Sequence, residues 1–429
     1  MLPLVLFGSF FAIALMGVPI LFALLAATVG TIVVLGLQHP MEVVYLSFIS
    51  GVEPFILTAV PMFILAGALL AMGGVGRRIV HLARVLLGWL PGGLGVVTVF
   101  SCMIFGGISG SAIADTAAIG SLIIPAMLER GYSRGFAAVL LSVAGSLALL
   151  MPLSIPFLVF AFISGVSMRT LSMAGLVPAV VLASTLIVVC IWHGKRTGCD
   201  KGDERATRRV ILDAILDSGP ALLMPLIIIG GVWSGFFTPS ESASCAVVYG
   251  LIISIYYYKD LTWRQIPQLI LKAFITSAVV LLVIGATGGM GWLVTAEQVA
   301  SSMAEWVRSV ATQQWEFLLL FNGSMLLLGI FIEPLPAMLL SAPLFLPLAQ
   351  SFGVDMVHFG VIMTANLAIA LAHPPVGATL FVSARLANAT MADILPNLWS
   401  LLGAAVVTVL LITFVPSMTH WLPAILHSL

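Results

Sequence analysis

Residues 105–125 read FGGISGSAIADTAAIGSLIIP. Four Gly and three Ser surround one carboxylate, Asp115, and the flanks are almost wholly apolar. Small residues at this density let the chain turn or let another surface approach closely. The stretch lies in a chain of 429 residues that is 61% hydrophobic and only 8% charged, with a mean hydropathy of +1.19. Soluble domains carry about 25% charged residues. The composition therefore predicts an all-α polytopic membrane protein, with the bilayer as its solvent and a small polar tip buried inside it.

Several function classes fall away at once. The net charge is zero, so nothing points to nucleic acid. No GxxxxGK[ST] loop is present, which argues against ATP hydrolysis by this chain. Cys102, Cys190, Cys199 and Cys245 lack CxxC spacing, which argues against a metal cluster or redox relay. The start, MLPLVLFGSF, lacks the basic residues of a cleaved signal peptide and reads as the first membrane segment.

Apolar runs of about 17–25 residues have the length of spanning helices. They fall near 2–17, 19–37, 54–72, 135–166, 170–192, 220–236, 240–258, 268–293, 357–386 and 396–416. Two further apolar blocks, 94–128 and 315–350, are broken by SGS at 109–111 and EPLP at 333–336. They read as re-entrant hairpins that enter and leave on one side. Basic residues mark the cytoplasmic face: Arg77, Arg78 and Arg84; then Lys195, Arg196, Lys201, Arg205, Arg208 and Arg209; then Lys259, Arg264 and Lys272. Counting spans places all three groups on the same side.

A shift of 222 residues aligns Gly107 with Gly329, Pro125 with Pro347, Gly131 with Gly353, Ala148 with Ala370, Leu149 with Leu371 and Pro152 with Pro374. So apolar a chain yields some identities by chance, but the order of segments repeats as well. The predicted architecture is two inverted repeats, each of five spans and one hairpin. The first occupies 1–192 with its hairpin at 94–128, and the second 220–416 with its hairpin at 315–350. A cytoplasmic linker, 193–219, joins them, and 417–429 forms a C-terminal tail.

Unsatisfied backbone in lipid costs several kcal/mol per group, so broken helices persist where protein, water or ligand satisfies them. Two hairpin tips and two interrupted helices, LALLMPLSIP (147–156) and AIALAHPPVG (368–377), fit that description. Pro152, Pro156, Pro374 and Pro375 remove donors and free carbonyls. Carbonyls and hydroxyls are the hard oxygen ligands of alkali cations, and half-helix N-termini offer amides to an anion. The candidate substrate contacts are Ser109, Gly110, Ser111, Asp115, Ser154, Glu333, Asn366, Pro374, Pro375 and Gly377. Plainer roles stand beside these. Small-residue runs also serve helix packing, Glu333 also fits the outer end of its hairpin, His373 fits a neutral packing residue, and Asn322 and Asn366 fit backbone partners.

The segments GGLGVVTVF (92–100), SGSAIADTAAIG (109–120), IIPAMLERGY (123–132), GGVWSGFFTPSESA (230–243) and VHFGVIMTANLAIALAHPPVG (357–377), with the GVP near the start, carry a resemblance. Over about 2–416 the chain resembles the large membrane (permease) subunit of tripartite ATP-independent periplasmic (TRAP) transporters. That likeness implies an elevator-type fold and sodium-driven uptake of an organic acid across the bacterial inner membrane. It implies two partner proteins, a periplasmic substrate-binding protein and a separate small membrane subunit, and two or more coupling Na+ ions. No catalytic site is implied.

By position, the likeness implies one sodium region at Gly329, Ala370, His373 and Val376. The repeat offset points to Gly107, Ala148, Met151 and Ser154 for the other, with Ser109 and Ser111 nearby. The chain departs from the family where Ala148 and Ala370 replace Gly, His373 replaces Thr, and Leu153 replaces a second Pro. A carbonyl ligand survives Gly to Ala; a hydroxyl ligand does not survive Thr to His.

Two rivals remain open on sequence. One is a stand-alone sodium- or proton-coupled carrier for dicarboxylates or other anions. The other is an ion-translocating subunit of a larger complex, which calls for intramembrane Lys that is scarce here. A membrane protease is disfavoured because HExxH, GxSxG and paired Asp motifs are absent from the spans.

Overall fold

The computed structural model describes residues 2–72, 74–374 and 377–427. Among these residues every regular element is helical. The run 2–37 is two helices, α1 (Leu2–Leu15) and α2 (Ile20–Val34), packed on each other. Next come α3 (Met41–Val52) and, after Pro54 and one 3-10 turn, α4 (Ala59–Met72). The apolar-run reading missed α3, because Glu42, Tyr45, Ser47 and Ser50 interrupt its hydrophobicity. The amphipathic α5 (Val75–Leu87) leads to a hairpin of α6 (Gly93–Ser109) and α7 (Ala112–Glu129). Then follow α8 (Arg134–Ser146), α9 (Ile155–Ser164) and α10 (Met168–Thr197).

The later part of the chain is helical as well. It contains α11 (Arg208–Ser234), α12 (Pro239–Ile252), α13 (Ile266–Ala296), α14 (Val299–Val310), the hairpin α15 (Gln314–Phe331) and α16 (Pro334–Ser351), α17 (Met356–Ala370), α18 (Ala378–Ala387), α19 (Met391–Phe414) and α20 (Ser417–His427). Among the described residues seven helices are long and apolar enough to cross a bilayer. The molecule is a polytopic membrane protein.

Two expected boundaries differ. The connection placed at 193–219 is out of helix only at 198–207, because α10 runs on to Thr197 and α11 starts at Arg208. Lys195 and Arg196 in the last turn of α10 oppose the negative end of its dipole and favour the extension. The segment placed as a tail, 417–429, contains α20, which packs on α10 and α17.

The two broken helices form the centre. α8 is buried from Gly135 to Ser146 and α17 from His358 to Ala370. Their second pieces cross over: α9 packs on α16 of the later hairpin, and α18 packs on α7 of the earlier one. Around this centre α3, α4 and α2 pack on α13, α4 packs on α12, and α5 packs on α11.

Ion pairs tie the three basic segments together. Arg78 on α5 reaches Asp260 at 2.6 Å and Asp217 at 3.6 Å. Arg84 on α5 reaches Asp203 at 3.0 Å. Arg130, beyond the end of α7, bonds Asp200 at 2.7 Å and Asp203 at 2.5 Å. These contacts put the three segments on one face of the molecule. Burial opposes ionisation of Asp203, but hydrogen bonds and charge from Arg84 and Arg130 outweigh it and hold the carboxyl below its ordinary range. Its contribution is therefore complete above about pH 4 and is lost as pH falls through the depressed native value.

Asp200 is the more consequential member, with a side chain only 1% exposed. It accepts from the Leu94 amide at the start of α6 at 2.7 Å and from the Tyr132 hydroxyl at 3.1 Å. Removing one partner of a buried pair costs roughly 3–5 kcal/mol. Asp200→Ala is therefore expected to lower the thermal midpoint and to speed proteolysis within 198–207. An unchanged cleavage rate contradicts this. The same loop tests sidedness. A cysteine placed at exposed Lys201 is expected to resist an impermeant thiol reagent on intact cells and to react once the membrane is opened. Labelling on intact cells reverses the topology.

Candidate functional site

The quoted stretch is the tip of the first hairpin. Ser109 ends α6, Gly110 turns the chain with φ +58°, and Ser111 caps α7 by accepting from the Ala114 amide at 3.4 Å. A left-handed turn of this kind suits glycine. It also brings the tip onto the first broken helix, since a Cβ on Gly110 would lie 3.2 Å from the Ser154 Cα.

Behind the tip sits Asp115, fully buried. The Ser109 hydroxyl donates to its Oδ1. Its other oxygen, Oδ2, has no hydrogen-bond partner, and among the described residues no cation pairs with it. A Cβ on Gly106 would come 3.0 Å from that Oδ2 and 2.6 Å from the Ala148 Cα. Asp115, Gly106 and the first break are therefore in close contact, and a buried carboxylate oxygen is left aimed at them.

In that break Ser154 turns inward. Its hydroxyl donates to the Leu149 carbonyl at 2.7 Å and accepts from the Phe157 amide at 3.4 Å, capping α9. Leu153 has φ +65°, a left-handed conformation that costs a residue with Cβ about 1–2 kcal/mol. Proline cannot adopt that φ, so the second proline expected from the family pattern would not fit this backbone. Met151 reaches Gly107: its Cε lies 3.3 Å from where a Gly107 Cβ would stand.

The second break mirrors some of this. The Leu371 carbonyl accepts from the Thr379 hydroxyl at 2.8 Å, and Thr379 shares a 2.9 Å contact with Ser142 on α8. The His373 amide donates to the Ala370 carbonyl at 3.0 Å, and the His373 carbonyl accepts from the Gly377 amide at 3.0 Å. The His373 ring is turned to the Pro374 carbonyl, 2.5 Å away. A Cβ on Gly329 would fall 2.4 Å from the Ala370 Cβ, so α15 is packed hard on this break. Pro375 and Val376 lie outside the described residues.

The two hairpin tips differ chemically. Glu333 stands at the cap position of α16 without a side-chain capping bond, and Pro334 and Pro336 follow it. Those prolines carry no N–H, so the start of α16 offers fewer amide donors than the start of α7.

A cavity of about 350 Å³ opens between the tips. That is within the range of small-molecule sites. Its polar lining comprises Ser109, Ser111, Glu333, Lys272 and Thr276, and the remainder is apolar or glycine. A second space of about 170 Å³, bordered by Gly329, Leu371 and Gly377, shares Glu333 and Leu371 with it. Of the substrate contacts expected from sequence, Ser109, Gly110, Ser111 and Glu333 reach the large cavity and Gly377 the small one. Asp115 and Ser154 are buried behind the lining. Asn366 stands apart, donating to the Asn322 side chain at 2.6 Å and the Ile362 carbonyl at 2.9 Å. Pro374 borders neither space.

No group of three or more His, Cys, Asp or Glu side chains is clustered among the described residues. The donor set around Asp115 is instead a carboxylate, a hydroxyl and nearby main chain, which suits an alkali cation. Sequence reading missed Lys272 as a lining residue because it served only as a marker of sidedness.

Residues 7–418 match the family described as "Tripartite ATP-independent periplasmic transporter, DctM component". The chain belongs to this family. The DctM-family chain is 36% identical, over 96% of its length and 65% of the other's, to "Isethionate TRAP transporter permease protein DctMQ" of Oleidesulfovibrio alaskensis. It thus spans about two thirds of that relative. It is 33% identical to "C4-dicarboxylate TRAP transporter large permease protein DctM" of Rhodobacter capsulatus, over 99% of each chain. It is 34% identical to "Sialic acid TRAP transporter permease protein SiaT" of Haemophilus influenzae, over 88% of this chain and 61% of that one. These relatives are transport permeases, and the DctM-family chain is a large permease subunit of that kind.

Proposed function

We propose that the chain couples the entry of sodium to the uptake of an organic acid anion across the bacterial inner membrane. A periplasmic binding protein delivers the acid, and a small membrane subunit completes the transporter. The observation that carries this reading is the buried Asp115 carboxylate, with one oxygen unpartnered, directly behind a hairpin tip that lines a ligand-sized cavity. A bare carboxylate in a low-dielectric site is costly, and a cation held there offsets that cost.

In this reading Asp115, Ser109 and the main chain around Ala148 and Met151 hold one sodium, with Gly107, Ser111 and Ser154 shaping the site. Gly329, Ala370 and His373 form the second ion region through main-chain oxygens; Val376, expected there from the likeness, lies outside the described residues. The acid lies in the cavity between Ser109–Ser111 and Glu333. A bound cation draws the first tip and the first break together, and that closes the cavity over the anion. The named substrates of the relatives, isethionate, C4-dicarboxylates and sialic acid, are all organic acids and support the substrate class.

Two inverted repeats and an elevator movement belong to the same proposal. Support comes from the element boundaries: at the 222-residue offset α6, α7 and α8 fall on α15, α16 and α17 with ends agreeing within about two residues. Support also comes from the crossed packing of α9 and α18, which makes the four broken pieces and both hairpins one unit able to move against α1–α4 and α11–α13.

Reconstitution tests the reading. Proteoliposomes holding this chain and the small subunit are expected to accumulate an organic acid only with an inward sodium gradient and the binding protein outside. Uptake that persists without the binding protein favours the stand-alone carrier. Uptake indifferent to sodium refutes the coupling ion.

A further inference from the structure

Lys272 is seven residues into α13, and Lys272, Thr276 and Val280 recur four apart along one face that borders the large cavity. The neighbouring face, with Leu271, Ile275 and Val279, is exposed and apolar. The Thr276 hydroxyl is spent on the Lys272 carbonyl at 3.0 Å, so the ammonium is the strong donor this face offers. Across the set of lining side chains Lys272 is the one cation and Glu333 the one carboxylic acid. In either protonation state Glu333 supplies no positive charge.

We propose that Lys272 fixes the anionic head of the substrate and Glu333 receives its hydroxyl or amino groups, so that the cavity takes a hydroxylated or amino mono-acid and disfavours a dicarboxylate dianion. This rests on the organic-acid reading above and narrows it. The first tip lines the same cavity, and the N-terminus of α7 adds positive dipole and amide donors for an anion. The start of α16 serves a second carboxylate poorly, because Pro334 and Pro336 leave it the Leu335 amide and little else. A carboxylate brought there meets Glu333, and with that acid ionised the juxtaposed like charges cost several kcal/mol. Hydroxyl or ammonium groups donate to Glu333 instead.

Binding to the purified full chain in nanodiscs, with sodium present, decides the matter. The probes are gluconate and glycerate as hydroxylated mono-acids and succinate as a dianion. Gluconate or glycerate is expected to bind at least tenfold more tightly than succinate. Lys272→Gln weakens the mono-acids tenfold or more, Lys272→Arg retains most of the affinity, and Glu333→Gln narrows the gap to succinate. Succinate binding as tightly as the mono-acids, or unchanged affinity in Lys272→Gln, overturns this inference while leaving organic-acid transport standing. Silence from all three probes counts against both.

Discussion

Asp115→Asn is expected to abolish sodium-driven uptake, by a hundredfold or more, and to make the sodium-free protein more resistant to heat. The two effects have one cause. Without a cation, the carboxylate is fully buried with a single hydrogen bond from Ser109 and an unpartnered Oδ2. Neutral asparagine relieves the desolvation of a charge, and that penalty is several kcal/mol per ion in real proteins. Yet it removes the charge proposed to attract sodium. A hundredfold loss corresponds to about 2.8 kcal/mol of binding. Thermal midpoints with and without sodium, together with initial uptake rates, check both halves. The wild type is expected to gain stability from sodium, and the variant to gain none. A variant that keeps sodium-dependent uptake rules out Asp115 as an ion ligand. A variant that simply loses stability makes the residue structural.

The sequence made Asp115 conspicuous because a lone acid among Gly, Ser and Ala within an apolar run has few structural excuses. The breaks at 147–156 and 368–377 were equally legible, since proline removes donors whatever surrounds it. Other features had no local signal. Asp200 sits in a polar loop that reads as solvent-exposed, and only the fold brings Arg130, Tyr132 and the Leu94 amide to it. Lys272 reads as a charge near a helix start, and only the placement of α13 turns it toward the cavity. The left-handed Leu153 breaks a rule that sequence reasoning relies on. Asn366 is polar and close in sequence to the second break; its amide donates to Asn322 and Ile362, and its Oδ1 is left without a partner.

The second large effect concerns the two glycines pressed against the breaks, which are expected to respond differently to rescue. Gly329→Ala places a methyl group 2.4 Å from the Ala370 Cβ, where carbon atoms prefer about 3.5–4.0 Å. Overpacking of this kind costs about 1–3 kcal/mol, and uptake is expected to fall more than tenfold. Adding Ala370→Gly removes the opposing methyl, because the next contacts lie at 3.5 and 3.9 Å, and most of the activity is expected to return. Gly106→Ala is different. Its methyl meets the Ala148 Cα, main chain, at 2.6 Å, and Ala148→Gly leaves that atom in place. No rescue is expected there, and the protein is expected to unfold at lower temperature. A double-mutant cycle at each site, read by uptake and thermal midpoint, measures the coupling. Equal rescue at both sites, or at neither, contradicts the difference in packing.

The unpaired Asp115 has a consequence for membrane voltage. On the proposed elevator path the unit that carries Asp115 crosses part of the electric field twice in each cycle. Loaded with one sodium at that site, the carboxylate is neutralised on the way in. Returned empty and still ionised, it carries a bare negative charge through the field. Moving one elementary charge through the full field is worth about 2.3 kcal/mol per 100 mV. An inside-negative potential pushes that charge outward, so it speeds the return of the empty carrier while leaving the inward step of this ion pair unaffected. In that proposal the carboxylate that holds the ion also sets which half of the cycle the cell's resting potential drives.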